Sequence, residues 1–357
     1  MGGRGLRFLA GPGALETIRR DGFDPARVRV VPGASGGPKW LVLGRLDRVL
    51  LPRLLAGRSA PLFLLGSSIG AWRFACWAQD DPAAALDRLE ASYLAWRHAP
   101  GDRAPEITRG TRAMLDRLLG PDGARQVLSH PVLRLSVMAV RGRGLLASDR
   151  PAAMMPGFAA AALANAVSRR ALGLFFDRAL FADPRSRPPF AGLDGFPRLD
   201  VPLSQANLAP ALMATAAIPA VIDGVRDIAG APPGTYRDGG IIDYHFDVPF
   251  LGARDDGLVL YPHFIDRVVP GWFDKKLAWR RAAAAHLDRV LLLAPDPDWV
   301  ARLPHAKIPE RTDFNRFDND TRIAAWRRVV AEAERLAEDF LEAVDGGTLP
   351  DRLEPLV

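Results

Sequence analysis

Apolar runs that end in glycine and lead into helix-spaced segments recur at the start of this chain. Val28, Val30 and Val31 form the first run, which enters Gly33-Ala34-Ser35-Gly36-Gly37-Pro38-Lys39, and residues 40–55 then place apolar side chains at helical spacing. The second run, Pro61-Leu62-Phe63-Leu64-Leu65, ends at Gly66, and residues 71–78 beyond it lack Gly and Pro and suit a buried helix. Two successive strand, glycine turn, helix units predict an α/β fold with a mostly parallel sheet covered by helices.

Residues 83–128 read as helical, with Leu86, Leu89, Tyr93 and Leu94 on one side and Met114, Leu115, Leu118 and Leu119 later. Residues 132–140 alternate as a strand does, Leu133, Leu135, Val137 and Ala139 against Arg134, Ser136 and Met138. Between 152 and 182, small apolar residues precede Leu172-Gly173-Leu174-Phe175-Phe176, which fits either a helix then a strand or a cap over a site. A late strand is predicted at 289–293 and one long amphipathic helix at 320–344. No linker or repeat interrupts the pattern, so residues 1–357 read as one domain, with motifs at about 24–250 and a mainly helical segment 275–357 packed on it.

Composition refines this little: 48% hydrophobic and 25% charged residues over 357 positions describe an ordinary globular chain. The net charge of +6 is spread among nearly as many acids, which argues against nucleic acid as a partner but would suit anionic lipid headgroups. A single cysteine, Cys76, excludes an internal disulfide and any cysteine metal cluster, and its expected role is apolar filling. The N-terminal arginines Arg4 and Arg7 meet Gly11-Pro12-Gly13 before any signal-length apolar stretch. Residues 152–167, broken by Pro156, Gly157 and Asn165, fall short of a membrane span. A cytoplasmic protein without a transmembrane helix is expected.

Gly66-Ser67-Ser68-Ile69-Gly70 is a G-x-S-x-G pentapeptide at a predicted strand-to-helix turn, the setting that exposes a nucleophilic serine, so Ser68 is the candidate nucleophile. Such a serine needs backbone N–H groups aimed at the developing oxyanion, and Gly36 and Gly37, at the end of the preceding strand, can supply them. Because Pro38 has no N–H, the amides available in that loop are those of Ser35, Gly36, Gly37 and Lys39. A turn that simply needs glycine is an equally open reading. None of His98, His130, His245, His263, His286 and His305 lies in a distinctive motif. A buried Asp can serve as the base instead, and Tyr236-Arg237-Asp238-Gly239-Gly240 offers one on a glycine turn, unless that stretch is an Asp-Gly hairpin.

Together, the glycine loop through Lys39, the pentapeptide at 66–70, Ala214-Thr215-Ala216-Ala217-Ile218-Pro219 and Asp238-Gly239-Gly240, in that order, resemble the patatin-like phospholipases. The resemblance spans 33–240 and is that of a divergent member: Ser35 stands where the family has glycine, Trp40 likewise, and Asp243-Tyr244-His245 replaces the usual Asn-x-Pro. It implies a three-layer sandwich, a Ser68–Asp238 dyad acting without histidine on a phospholipid or lysophospholipid ester, and no cofactor or metal. Gly36 and Gly37 would form the oxyanion hole; Lys39, Gly66, Ile69, Gly70, Gly239 and Gly240 would complete the motifs. The rival readings are an esterase triad with His263 or His286 as base, and a lipid-binding protein that has lost turnover. The stretch from Tyr261 to Arg281 mixes aromatics with cations and could touch an anionic membrane, although core packing of those aromatics is the preferred expectation.

Overall fold

The computed structural model describes residues 3–356 apart from 98, 100, 191 and 194, so His98, one of the histidines considered as a base, lies outside the described residues. Among the described residues ten strands build one sheet: β1 (Leu6–Ala10), β2 (Val28–Gly33), β3 (Leu62–Ser67), β4 (Leu133–Gly142), β5 (Phe176–Ala182), β6 (Arg198–Pro202), β7 (Thr235–Asp238), β8 (Leu258–Pro262), β9 (Val290–Pro295) and β10 (Leu353–Pro355). They run in the order β10-β1-β9-β8-β2-β3-β4-β5-β6, with β7 also paired to β4. The centre, β9-β8-β2-β3-β4, is all parallel, and β1 and β5 join it antiparallel on its two sides. Helices cover the sheet, so β3, β8 and β9 are buried at every residue, as parallel strands with both faces covered must be. That burial explains why Leu62 to Leu65 and Leu291 to Leu293 are continuous apolar runs rather than alternating ones.

One detail of register positions the site. Along one side of β4, β3 pairs parallel as far as Ser67 opposite Met138, and β7 then pairs antiparallel from Asp238 opposite Ala139. The two strands therefore point at each other along one edge of β4, and their C-terminal ends meet. Residues 170 positions apart are thus delivered to the same point by backbone hydrogen bonding alone.

Several elements differ from expectation for local reasons. The 83–128 stretch is three helices, Pro82–Ala95, Ala104–Leu119 and Gly123–Ser129. The first opens at Asp81, whose carboxylate accepts the Ala84 N–H, with Pro82 following. Residues 169–174 form a 3-10 turn and β5 begins only at Phe176, while the weakly polar segment before them is one helix, Pro151–Val167. The long C-terminal helix is two, Asn319–Glu332 and Glu334–Asp345, joined at Ala333. The bend lets the second helix bury Leu336, Ala337, Phe340 and Ala343 against helix Gly44–Leu55, while the Asp339 carboxylate accepts the Gly5 and Leu6 amides at 2.8 and 2.7 Å. Besides its helices, the segment after 275 carries the predicted late strand as β9 and a short β10 at the sheet edge. Cys76 is fully buried and unpaired, as filling requires. Among the described residues no helix is long and apolar enough to cross a membrane.

Candidate active site

β3 ends at Ser67, and Ser68 takes φ 53° and ψ −127° before helix Ile69–Trp77 begins. A positive φ is strained for a serine and persists only where the surroundings hold it. Here the Ser68 N–H donates to Thr215 Oγ1 at 2.8 Å, and Thr215 Oγ1 in turn donates to the Met138 carbonyl. The chain also doubles back tightly: a Cβ on Gly70 would lie 2.0 Å from the Gly33 carbonyl oxygen, and one on Gly66 would lie 2.4 Å from Ala71 Cα. Both glycines of the pentapeptide are therefore required by backbone contact, which is the physical content of the motif.

Asp238 closes the other side. Its N–H donates to the Ala217 carbonyl at 3.1 Å, its Oδ1 accepts the Gly240 N–H at 2.7 Å, and its Oδ2 accepts the Ser68 hydroxyl at 2.9 Å. Gly239 and Gly240 form a 3-10 turn instead of the hairpin an Asp-Gly pair can also make. Burial pushes the Asp238 carboxyl up to about 6, against the Gly240 and Ser68 hydrogen bonds that favour its ionised form. A carboxylate so placed can take the hydroxyl proton near neutral pH.

Gly36 and Gly37 stand where the 3-10 helix Gly37–Val42 begins, Gly37 at φ 54°, and both face the space in front of Ser68. The other two loop amides are committed elsewhere: Ser35 N–H donates to the Tyr244 carbonyl at 2.9 Å and Lys39 N–H to Gly36 at 3.4 Å. This narrows the four amides considered from the sequence to the two glycines. Ser35 instead donates its hydroxyl to Ser67 Oγ at 2.9 Å, tying the glycine loop to the end of β3. Ile69 and Gly70 supply the first amides of the helix after Ser68, whose dipole adds positive potential there.

Two cavities meet at Ser68. One, of about 370 Å³, contains Ser68, Asp238, Gly36 and Gly37 under Met155, Phe158 and Trp272. Its charged rim is Lys39, Lys275, Glu310 and Arg311. The other, of about 120 Å³, shares Gly37, Ser68, Ile218 and Arg311 and is walled by Trp72, Tyr93, Met114 and Phe314. Lys275 lies 3.9 Å over the Tyr244 ring and Lys39 5.1 Å over Phe264. Partial burial lowers Lys39 and brings Lys275 to about 8. Glu310 is engaged by Lys307, which leaves the rim cationic.

No described histidine lines either cavity. His263 is buried, its Nδ1 lies 2.7 Å from the Ile265 carbonyl oxygen and 3.1 Å from the Ile265 amide, and burial drops it to about 3. Burial likewise drives His245 down, and its Nδ1 accepts the Val269 amide at 3.0 Å. His286 pairs with Asp247 at 2.7 Å and lines a separate depression, and His130 accepts the Val132 and Leu133 amides. His305 stacks on Phe317. Thr215 and the Ser35–Ser67 contact escaped sequence reasoning; the first lay within a recognised segment but had no assigned role, and the second joins residues 32 positions apart. Among the described residues no group of three His, Cys, Asp or Glu side chains is placed to hold a metal ion.

No protein-family profile matches the chain, and no curated protein matches it. Among solved structures it is similar to VipD from Legionella pneumophila, at 10% identity and a TM-score of 0.27, over 66% of this chain and 50% of that one. The chain thus spans about half the length of that structure, and a likeness of this size carries no argument about the site.

Proposed function

We propose that this protein is a serine acyl hydrolase of patatin-like design, one α/β domain that cleaves a lipid carboxylic ester, a phospholipid or lysophospholipid, through Ser68 and Asp238. The observation that supports it most is the 2.9 Å hydrogen bond from the Ser68 hydroxyl to a buried carboxylate that burial has made more basic.

In this reading Asp238 Oδ2 takes the Ser68 proton as Oγ attacks the ester carbonyl carbon. The Gly36 and Gly37 amides, with the start of helix Ile69–Trp77 behind them, hold the resulting oxyanion, an effect worth about 3 kcal/mol per donor. Collapse of the tetrahedral species breaks the bond to the leaving alcohol, which carries away the proton held by Asp238 and leaves Ser68 acylated. A water then gives its proton to Asp238 as its oxygen attacks the acyl carbon; release of the carboxylic acid returns that proton to Ser68. The aromatic and aliphatic walls of the smaller cavity suit an acyl chain, and the Lys39, Lys275 and Arg311 rim suits an anionic headgroup.

Fluorogenic-ester turnover by wild type, Ser68→Ala, Asp238→Asn and His286→Ala tests the dyad. The first two substitutions should abolish turnover and the third should leave it within about twofold, since His286 is occupied with Asp247. Full activity in Ser68→Ala or Asp238→Asn, or loss in folded His286→Ala, would overturn it.

A further inference from the structure

Helix Pro151–Val167 has no charged residue in its entire length, yet most of its outward positions are exposed. Leu163 is 72% and Val167 88% exposed, values that place bare aliphatic side chains in water. Among the described residues, every large hydrophobic that stands exposed falls in two short stretches: Leu145, Met155, Leu163, Val167 and Leu174 in one, Trp272 and Trp279 in the other. The two stretches are neighbours. The helix packs on the turns Gly144–Ala147, Arg169–Leu174 and Trp272–Lys276, Phe158 meets Phe273 at 6.1 Å, and Asn165 Nδ2 donates to Asp274 Oδ1 at 2.8 Å. The core packing expected of the aromatics around Trp272 therefore holds for Tyr261 and Phe264 but not for Trp272 and Trp279.

Charge singles out the same face. Residues 143–170 and 271–285 hold eight Arg and Lys against Asp149 and Asp274, a surplus equal to the +6 of the whole chain. Asp149 is engaged by Arg226 and Arg237 and Asp274 by Asn165, Arg169 and Arg280, while Arg143 pairs with Asp177 and Arg169 also with Asp243. Arg150, Arg170, Lys276 and Arg281 are exposed and form no ion pair among the described residues. Met155, Phe158 and Trp272 belong at once to this face and to the mouth of the Ser68 cavity.

We propose that helix Pro151–Val167 and the turns beside it form a docking face for an anionic lipid surface, the helix lying in the plane of the headgroups with its exposed apolar side inserted and the flanking cations at the headgroups. A second copy of the chain fits less well, because a two-fold contact would set this cationic face against itself. Docking by itself requires no chemistry; that it also sets the Ser68 cavity on the bilayer rests on the acyl-hydrolase reading.

Flotation of the full chain with phosphatidylcholine vesicles, with and without phosphatidylglycerol, tests the face directly. Wild type should float with the anionic vesicles only, and raised salt should weaken it. Leu163→Gln/Val167→Gln should cut partitioning about tenfold or more, and Arg170→Gln/Lys276→Gln about fivefold per cation removed. None of these side chains lines either Ser68 cavity, so both variants should keep wild-type turnover of a soluble short-chain ester. Equal flotation of the variants, or no flotation of wild type, overturns the proposal, as does conversion of a dimer to a monomer by Leu163→Gln/Val167→Gln with lipid binding unchanged. If the vesicle results hold while no ester is hydrolysed, the docking face stands and the acyl-hydrolase reading falls.

Discussion

Replacing Asp238 by Asn should stabilise the fold while removing its chemistry. The amide keeps the shape: its oxygen can accept the Gly240 N–H in place of Oδ1, and its NH₂ can donate to Ser68 Oγ, which donates in the wild type. What disappears is a buried negative charge. Moving a carboxyl from 3.8 to about 6 costs the ionised fold about 3 kcal/mol, at about 1.4 kcal/mol per tenfold in proton affinity. The sign follows from proton counting: between 3.8 and about 6 the folded chain retains a proton that the unfolded chain has released, so stability falls as pH rises through that window. Urea midpoints of wild type and Asp238→Asn should nearly coincide at about pH 3.5 to 4 and separate progressively, with the variant about 3 kcal/mol more stable by about pH 7. Curves that stay parallel across that range would mean that Asp238 is an ordinary carboxylate, and the case for it as a poised base would fail.

Two further outcomes follow from the same geometry. Turnover of a soluble ester, as kcat/KM, should fall about tenfold per pH step below about 6, because protonated Asp238 cannot accept from Ser68; a flat acid limb would contradict this. Gly70→Ala would press a Cβ to 2.0 Å from the Gly33 carbonyl, so it should lose about 1–3 kcal/mol by urea denaturation and most activity, and an unchanged midpoint would show that the helix and β2 are not in hard contact.

Local pattern revealed what was local. The runs at 28–31 and 61–65 are β2 and β3 because a parallel strand covered on both faces needs uninterrupted aliphatics, and the glycines after them are visible because backbone contact forces them. Ser68 and Asp238 were nameable as candidates for that reason, and ordered motifs joined them only as a resemblance. Their meeting was not legible, since it depends on β7 running antiparallel along the part of β4 that β3 leaves free, a pairing β7's four residues do not announce. The break at Ala333 lacked a Gly or Pro to mark it. For helix Pro151–Val167 the sequence left helix and cap open, and only tertiary placement shows that apolar side chains such as Leu163 face outward.

The proposed dyad makes Ser68 an activated nucleophile. Labelling the folded chain with a fluorophosphonate and locating the adduct by peptide mass spectrometry tests it most directly. The expected result is a single adduct on Ser68 that forms much more slowly in Asp238→Asn. An adduct on Ser35 or Ser67, or no adduct at all on folded protein, would contradict it.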